Sequence, residues 1–262
     1  MSVVELGRFM EDLAHASGKA ILPFFRAQFA LEDKARGGAP FDPVTEADRA
    51  AEVVLRTLIG KAFPGHGILG EEFGTEREDA ECVWVLDLID GTRAFIAGLP
   101  TWGTLIGLTR HGVPVRGLMH QPYLNEIFTG DGRTARLRGP AGERTLRTRR
   151  CGDLAQALLA TTDPRLFAEG EEADRFRSLE GRVRLSRYGT DCYAYCMLAA
   201  GQVDLVVEAG LKPYDICALI PIIEGAGGRV TAWDGGSAAK GGRVVAAGDT
   251  RLHEAALKVL NP

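Results

Sequence analysis

The chain has 262 residues and a formal net charge of −4 at pH 7, and 45% of its residues are hydrophobic. This length suffices for one large domain or two closely packed halves with a substantial core. The acidic balance argues against nucleic acid or an anionic membrane as the main partner. No apolar segment is long enough to span a membrane, no signal-peptide pattern is present, and the five cysteines lie mostly in apolar contexts. We therefore expect a cytoplasmic protein with reduced thiols.

The predicted elements begin with a long amphipathic helix from Val3 to Phe29, which Pro23 should bend or interrupt. A second helix follows Asp48, after a cap-like segment at 45–48. Strand-like runs then dominate residues 68–137.

The later part of the chain alternates strands with helices, and we place a subdomain boundary near Arg149, between residues 1–149 and 150–262 of one integrated unit. The basic run 144–150 is interpreted as a solvated strand edge rather than a binding patch. The predicted strands are 158–161, 203–207 and 244–247, and the predicted helices lie around 165–178, after Asp191, after Asp215 and at the C-terminus.

The segment from Trp84 to Thr92 carries the strongest chemical signal. A short apolar run, typical of a buried strand, delivers Asp87 and Asp90 into a Gly-Thr turn. Paired carboxylates at a strand exit beside a helix start can hold divalent cations and present N–H groups to a phosphate. The alternative is a turn in which Asp90 caps a helix and Asp87 faces solvent, and the segment alone leaves the two readings balanced.

Two further acidic positions lie where a metal site would need ligands. Glu71 ends a short apolar run with Glu72, and Asp215 precedes a predicted buried helix. An isolated aspartate before a helix is usually only an N-cap. Together with Asp87 and Asp90, these carboxylates would suffice for magnesium if the fold brings them together.

Four segments of the chain form a recognisable series. They are Asp42-Pro-Val-Thr-Glu-Ala-Asp48, Gly70-Glu-Glu72, Asp87-Leu-Ile-Asp-Gly-Thr92, and Tyr214-Asp215 with Glu224-Gly-Ala-Gly-Gly228. In this order they resemble the inositol monophosphatase family of magnesium-dependent phosphatases, over roughly residues 40–230. Within that family the chain is most similar to the histidinol-phosphatase branch, through 93–104, 187–195 and 211–215.

The resemblance implies two Mg²⁺ ions per active site, with a third, weaker ion near Glu71. One ion would be held by Glu71, Asp87 and the Ile89 carbonyl, and the other by Asp87, Asp90 and Asp215. Gly91 and Thr92 would offer N–H groups to the phosphate. Thr92 and Asp48 would orient the attacking water, with assistance from Glu71. The implied reaction is in-line attack by metal-activated water, without a phospho-enzyme.

The resemblance also assigns the organic part of the substrate to Glu208, Gly189, Thr190 and Asp191. An acidic pocket would suit the cationic amine and imidazole of histidinol phosphate. Asp191 is equally well explained as a helix N-cap, and Arg187 either closes the pocket or lies on a solvated surface, the commoner case.

Two positions depart from the family pattern. Leu88 replaces the usual proline, which should loosen the loop without removing a ligand. Tyr214 replaces a frequent tryptophan, as in the histidinol-phosphatase branch, and leaves Asp215 intact.

The resemblance further implies a sandwich of alternating helix and sheet layers, with the metals between two subdomains, and a homodimer. The stretch 37–40 resembles a loop that covers the site, with Lys34 or Arg36 approaching the phosphate.

The leading functional hypothesis is hydrolysis of L-histidinol phosphate to L-histidinol in histidine biosynthesis. The alternative in the same family is an inositol monophosphatase or a broad phosphatase of small monoesters. A third hypothesis, from another class, is a partner in RNA processing or transcription complexes, as some bacterial relatives are; the acidic balance speaks weakly against it.

Overall fold

The computed structural model describes residues 3–27, 31–33 and 43–261. The helices are α1 (Val3–Ile21), α2 (Glu46–Ala62), α3 (Thr92–Ile96), α4 (Glu171–Glu180), α5 (Asp191–Ala199), α6 (Pro213–Ile216), α7 (Leu219–Gly225) and α8 (Thr250–Leu260). The strands are β1 (Leu31–Asp33), β2 (Pro43–Thr45), β3 (Gly67–Gly70), β4 (Gly74–Glu76), β5 (Cys82–Asp90), β6 (Gly103–Arg110), β7 (Val113–Gln121), β8 (Glu126–Gly130), β9 (Ala135–Gly139), β10 (Gly142–Thr145), β11 (Leu158–Thr161), β12 (Leu185–Tyr188), β13 (Leu205–Leu211), β14 (Arg229–Ala232) and β15 (Gly242–Ala247).

The larger sheet has eight strands in the order β10-β9-β8-β7-β6-β5-β3-β4. Its neighbouring strands are antiparallel except for β3 and β5, which run parallel and pair Gly70 with Leu86. The carboxyl ends of β3 and β5 therefore lie at the same edge of the sheet. This parallel pair brings Glu71, the residue after β3, next to Asp87 on β5.

The smaller sheet has five strands in the order β12-β11-β13-β15-β14. Strand β11 is parallel to both of its neighbours, whereas β15 is antiparallel to β13 and β14. Strand β13 carries Glu208 and leads directly into α6, which carries Asp215. The second half of the chain thus supplies two acidic side chains from consecutive elements.

The two large sheets alternate with helices because both faces of each sheet are apolar. On β6, Ile106 packs in a cluster with α1 and α2, whereas its neighbour Leu105 packs with α5 and α7. On β13, Val206 joins the α5 and α7 cluster, and Leu205 packs with α4 and α8. This alternation follows the two-residue period of a strand. The layered sandwich of helices and sheets is confirmed.

Several predicted boundaries were wrong. Helix α1 ends at Ile21 instead of Phe29, since Pro23 lacks an N–H and disfavours a helical residue before it. Helix α2 begins at Glu46, so Asp48 lies in its first turn and not before it. The predicted helix 165–178 is a 3₁₀ turn at 164–166 followed by α4. The predicted helix after Asp215 is divided into α6, which contains Asp215, and α7.

Within the described part of the chain, no helix combines the length and the apolar character needed to cross a membrane.

Candidate active site

Strand β5 presents Asp87 and Asp90 on the same side although they are three positions apart. In a regular strand, residues separated by an odd number point to opposite faces. Here Asp87 pairs with Leu105 and Asp90 pairs with Gly103, so three steps on β5 oppose two on β6. This shift is a β-bulge, which redirects one side chain. It allows one strand end to supply two carboxylates to one site.

Hydrogen bonds of the Thr104 and Ser17 side chains hold the backbone of the bulge. The Thr104 Oγ1 donates to the Leu88 carbonyl oxygen at 2.8 Å, and Ser17 Oγ lies 3.0 Å from Thr104 Oγ1. Leu88 itself is fully buried in the cluster that includes α1 and α2. Its side chain therefore contributes to the core. That it loosens the loop relative to proline stays a prediction.

The predicted metal carboxylates converge. Carboxylate oxygens of Asp48, Glu71 and Asp87 lie within 4.8 Å of one another, and so do those of Asp87, Asp90 and Asp215. Asp87 belongs to both groups and is only 2% exposed, so the alternative in which it faces solvent is wrong. The Ile89 carbonyl accepts a hydrogen bond from Thr92 Oγ1 at 3.2 Å.

Burial and mutual repulsion disfavour the ionised forms of these acids. Burial raises the pKa of Asp87 well above its usual range, and the carboxylates of Glu71 and Asp90 raise it further. Burial followed by the Asp215 carboxylate does the same to the pKa of Asp90. Burial raises the pKa of Asp215 to about 6, although its carboxylate accepts the Lys212 N–H at 2.6 Å. Asp215 is thus both a local cap and a member of the acidic group.

The residues present fit a divalent cation. The Asp87 Oδ1 is buried and has no hydrogen-bond partner among the described residues. Grouped carboxylate oxygens are the ligands that Mg²⁺ prefers, and a bound cation would offset the repulsion between them.

Helix α2 holds the turn that carries Glu71. Glu52 is fully buried, and its Oε2 accepts the Glu72 N–H at 2.8 Å. Its Oε1 accepts the Phe73 N–H at 3.2 Å and Arg56 Nε at 2.7 Å. A Cβ on Gly70 would approach Glu52 Oε1 to 2.0 Å, so this contact requires glycine. One rigid helix therefore positions both Asp48 and the Glu71 turn.

Sequence reasoning missed Glu52. Its separation of four residues from Asp48 places both on one face of α2, and this was the available signal.

Gly91 connects the end of β5 to α3 and lies against Asp191. Its φ of +82° is a left-handed conformation that favours glycine. A Cβ there would lie 2.9 Å from the Asp191 Cβ and 3.1 Å from the Trp102 Cα. Both the backbone angle and the close approach therefore exclude a side chain at this position.

A cavity of about 360 Å³ extends from the grouped carboxylates around Asp87 to Asp191 and Glu208. Arg187, Gly189, Thr190 and Asp48 are not part of its lining, and Arg187 is exposed on β12. The Gly189 carbonyl accepts Thr101 Oγ1 at 3.1 Å. The predicted residues that line the cavity are Glu71, Asp87, Ile89, Asp90, Gly91, Thr92, Asp191, Glu208 and Asp215.

Asp191 is not the side-chain cap of α5. That role belongs to Asp90, whose Oδ2 accepts the Cys192 N–H at 2.8 Å, and the Thr190 side chain makes no capping bond. Asp191 adopts a φ of +42° and faces the cavity. Burial raises its pKa to about 6, opposed by the charge of Arg93 and by the nearby Thr101 hydroxyl.

Glu208 is buried but well supplied with donors. Its Oε1 accepts the Thr162 N–H at 2.7 Å and Thr162 Oγ1 at 3.0 Å, and its Oε2 accepts Thr161 Oγ1 at 3.3 Å. Burial nevertheless raises the pKa of Glu208 to about 8. The carboxyl is held rigidly and faces the cavity.

Sequence reasoning also missed Arg93, Thr162 and Tyr195 as residues that line the cavity. Arg93 and Tyr195 belong to segments that carried the branch resemblance, but no spacing rule indicated where their side chains point. The predicted approach of Lys34 or Arg36, and the covering loop 37–40, lie outside the described residues.

Known proteins resemble this chain along most of its length. The model of the inositol monophosphatase family matches residues 3–261. The chain is 45% identical to the bifunctional phosphatase IMPL2 of Arabidopsis thaliana, over 99% of this chain and 77% of that protein. It is 37% identical to a histidinol-phosphatase of Mycobacterium tuberculosis, over 84% of this chain and 85% of that protein.

The solved structure of an inositol monophosphatase from Zymomonas mobilis superimposes with a TM-score of 0.88 at 42% identity, and each chain is covered completely. The chain described here therefore belongs to the inositol monophosphatase family and is a phosphatase of that family, whose members depend on metal ions, typically Mg²⁺.

Proposed function

We propose that this phosphatase hydrolyses L-histidinol phosphate to L-histidinol and phosphate, a step of histidine biosynthesis. The observation that carries the proposal is the position of Asp191, a buried carboxyl on the wall of the cavity that also contains the grouped metal carboxylates. A second buried acid, Glu208, lines the same cavity. Two acids beyond the phosphate end suit a cationic organic group, and the similarity to a histidinol-phosphatase supports this choice.

We assign roles to the residues around the phosphate as follows. Glu71, Asp87 and the Ile89 carbonyl would hold one divalent cation, and Asp87, Asp90 and Asp215 would hold another. When bound, such cations neutralise phosphate charge and make water more acidic.

The Gly91 and Thr92 N–H groups would receive the phosphate, while Thr92 Oγ1 and Asp48 would orient the attacking water. A third ion near Glu71 and a homodimeric assembly are part of the same proposal.

The organic part of the substrate would extend toward α5. Asp191 would pair with a cationic group of the substrate, since opposite charges attract strongly where water is excluded. Glu208 would do the same once the nearby cation favours its ionised form. Gly189 and Thr190, just before α5, would shape this end through their backbone, and Arg187 would approach from the surface. The charge of Arg93 partly opposes the rise in the pKa of Asp191, which shows that Arg93 is close to this carboxyl group. The cation of the substrate would therefore compete with Arg93 for the Asp191 carboxylate.

The test is the Asp191→Ala variant assayed with L-histidinol phosphate and inositol 1-phosphate in Mg²⁺. We expect kcat/KM for histidinol phosphate to fall about 100-fold, because a charge-assisted hydrogen bond is lost. The value for inositol 1-phosphate should change by less than about threefold, since a polyol has no cation to lose. The control is Asp174→Ala, which removes an exposed acid of α4 and should change neither rate. Equal losses on both substrates would refute the assignment of Asp191.

A broader phosphatase is the second candidate. The structural similarity to an inositol monophosphatase favours it, and so do the donors that hold Glu208 without a cation. Wild-type kcat/KM on L-histidinol phosphate, inositol 1-phosphate and adenosine 3′,5′-bisphosphate separates the candidates. A strong preference for the first substrate supports the leading proposal, and comparable values on all three support the second candidate.

A further inference from the structure

Tyr195 lines the cavity and carries a buried hydroxyl group that the protein leaves without a hydrogen-bond partner among the described residues. The residue lies on α5, is 3% exposed, and lines the cavity together with Asp191. Its hydroxyl oxygen is buried and has no hydrogen-bond partner among the described residues. Asp191 and Tyr195 are four positions apart, so both belong to one face of the helix.

An unpartnered buried hydroxyl is unfavourable for the protein itself. It loses its hydrogen bonds to water on burial and gains none in return. A phenylalanine would fill the same space without this cost. The neighbouring Tyr193 shows the usual arrangement, because its hydroxyl donates to Glu126 Oε2 at 2.5 Å.

The surroundings of the Tyr195 hydroxyl indicate what it would meet. After burial, the influences that raise its pKa are the carboxylates of Glu208, Asp90 and Asp215, in that order. Tyr195 shares the cavity lining with Glu208, Asp90 and Asp215, so these carboxyl groups are near its side chain. A phosphate monoester held by the grouped metal carboxylates would place its organic part against this hydroxyl.

We propose that the Tyr195 hydroxyl hydrogen-bonds to an N–H or O–H group of the organic part of the substrate and makes Tyr195 a specificity-determining residue. This inference rests on the proposed function of the cavity as the site of phosphate monoester hydrolysis. The ligand class is a phosphate ester of an alcohol that bears an amine or hydroxyl group. Esters whose organic part is purely apolar gain nothing from Tyr195.

The experiment compares Tyr195→Phe with the wild type on L-histidinol phosphate and phenyl phosphate, both in Mg²⁺. We expect kcat/KM for histidinol phosphate to fall about tenfold or more, chiefly through KM, because one hydrogen bond to the substrate is lost. The value for phenyl phosphate should stay within about twofold, since its ring offers no polar group to Tyr195. The melting temperature should stay the same or rise, because no protein hydrogen bond is removed.

Tyr193→Phe is the matched control on the same helix. It removes a hydroxyl that is bonded to Glu126 and does not line the cavity. We expect a lower melting temperature and unchanged kcat/KM on both substrates. A purely structural role of Tyr195 would give this same pattern.

Unchanged kcat/KM of Tyr195→Phe on histidinol phosphate, or an equal loss on phenyl phosphate, would overturn the inference. A wild-type preference for inositol 1-phosphate would instead refute the proposed substrate. Tyr195 would then be judged by the same ratio, measured with inositol 1-phosphate against phenyl phosphate.

Discussion

Buried carboxyl groups have different surroundings at the two ends of the cavity. The metal end is defined by the grouped carboxylates around Asp87, and the organic end by Asp191 and Glu208. At the metal end, carboxylates are placed against each other, and Asp87 shares its surroundings with four other acids. At the organic end, Glu208 receives three hydrogen bonds and Asp191 has Arg93 and Thr101 nearby. The first arrangement is unfavourable without a cation, whereas the second is partly satisfied by the protein. In the proposed function, cation binding and substrate recognition would therefore depend mainly on different carboxyl groups.

The largest effect should come from Asp87→Asn, which breaks the metal end alone. We expect kcat/KM on any monoester to fall about 1000-fold or more, because one residue serves both carboxylate groups. The metal-free protein should become more stable, since a source of repulsion is removed. Thermal denaturation with EDTA and with Mg²⁺ tests this, and the variant should lose the Mg²⁺-induced rise in melting temperature.

Asp79→Asn is the control for Asp87→Asn, because Asp79 is an exposed acid between β4 and β5. Retention of a normal Mg²⁺ response in Asp87→Asn would mean that Asp87 is not a common ligand.

A smaller effect is expected for Glu52→Gln, which sharpens the comparison by perturbing one metal group indirectly. Both Glu52 oxygens accept hydrogen bonds, and an amide would turn one acceptor into a donor. The Glu71 turn should shift, and the Mg²⁺ concentration for half-maximal activity should rise about tenfold. At saturating Mg²⁺ the substrate preference should stay unchanged.

Glu76→Gln provides the matched control, because Glu76 also pairs with Arg56, at 3.7 Å, but is about half exposed. Its Mg²⁺ requirement should equal that of the wild type. An unchanged requirement in Glu52→Gln, measured by titration of activity and of melting temperature, would contradict the positioning role.

The smallest effect concerns pH and the organic end. The pKa of Glu208 is raised to about 8 from the ordinary 4.5, so the folded state binds its proton more tightly than the unfolded state. Its contribution to stability is greatest below pH 4.5 and is lost as the pH rises through 8. Relative to Glu208→Gln, the wild type should lose up to about 1.4 kcal/mol of unfolding free energy per pH unit in this window.

Urea denaturation in EDTA between pH 5 and pH 8 measures this difference. Parallel stability curves for the two proteins would show that Glu208 is already ionised and that its three hydrogen bonds outweigh burial.

The sequence predicted which carboxylates converge far better than it predicted the geometry that brings them together. Asp87, Asp90 and Asp215 were predictable because they belong to a recognisable motif order. The bulge that turns Asp87 and Asp90 to one side was not, since a register shift depends on how β6 pairs with β5. Similarly, the cap of α5 comes from Asp90, which is about a hundred positions away, so local rules pointed to Asp191 instead.

Helix boundaries and cavity-facing side chains show the same limit. The presence of Pro23 was visible, but the end of α1 two residues before it was not assigned. Glu52 and Tyr195 looked like ordinary helix positions, because their partners or their lack of partners arise only when distant elements meet. Site residues that belong to a sequence motif could be predicted, whereas residues whose role depends on tertiary packing could not.

Asp90 links the metal end of the cavity to the start of α5. One of its oxygens accepts the first-turn N–H of α5, and the residue also belongs to a carboxylate group suited to a cation. Cation occupancy should therefore restrict the start of the helix that carries Asp191 and Tyr195. Because a coupling free energy is reciprocal, a well-fitting organic group should tighten cation binding by the same factor. A well-fitting substrate would thus raise the affinity of the site for the metal ion, whereas a poorly fitting substrate would leave the metal positions only partly occupied.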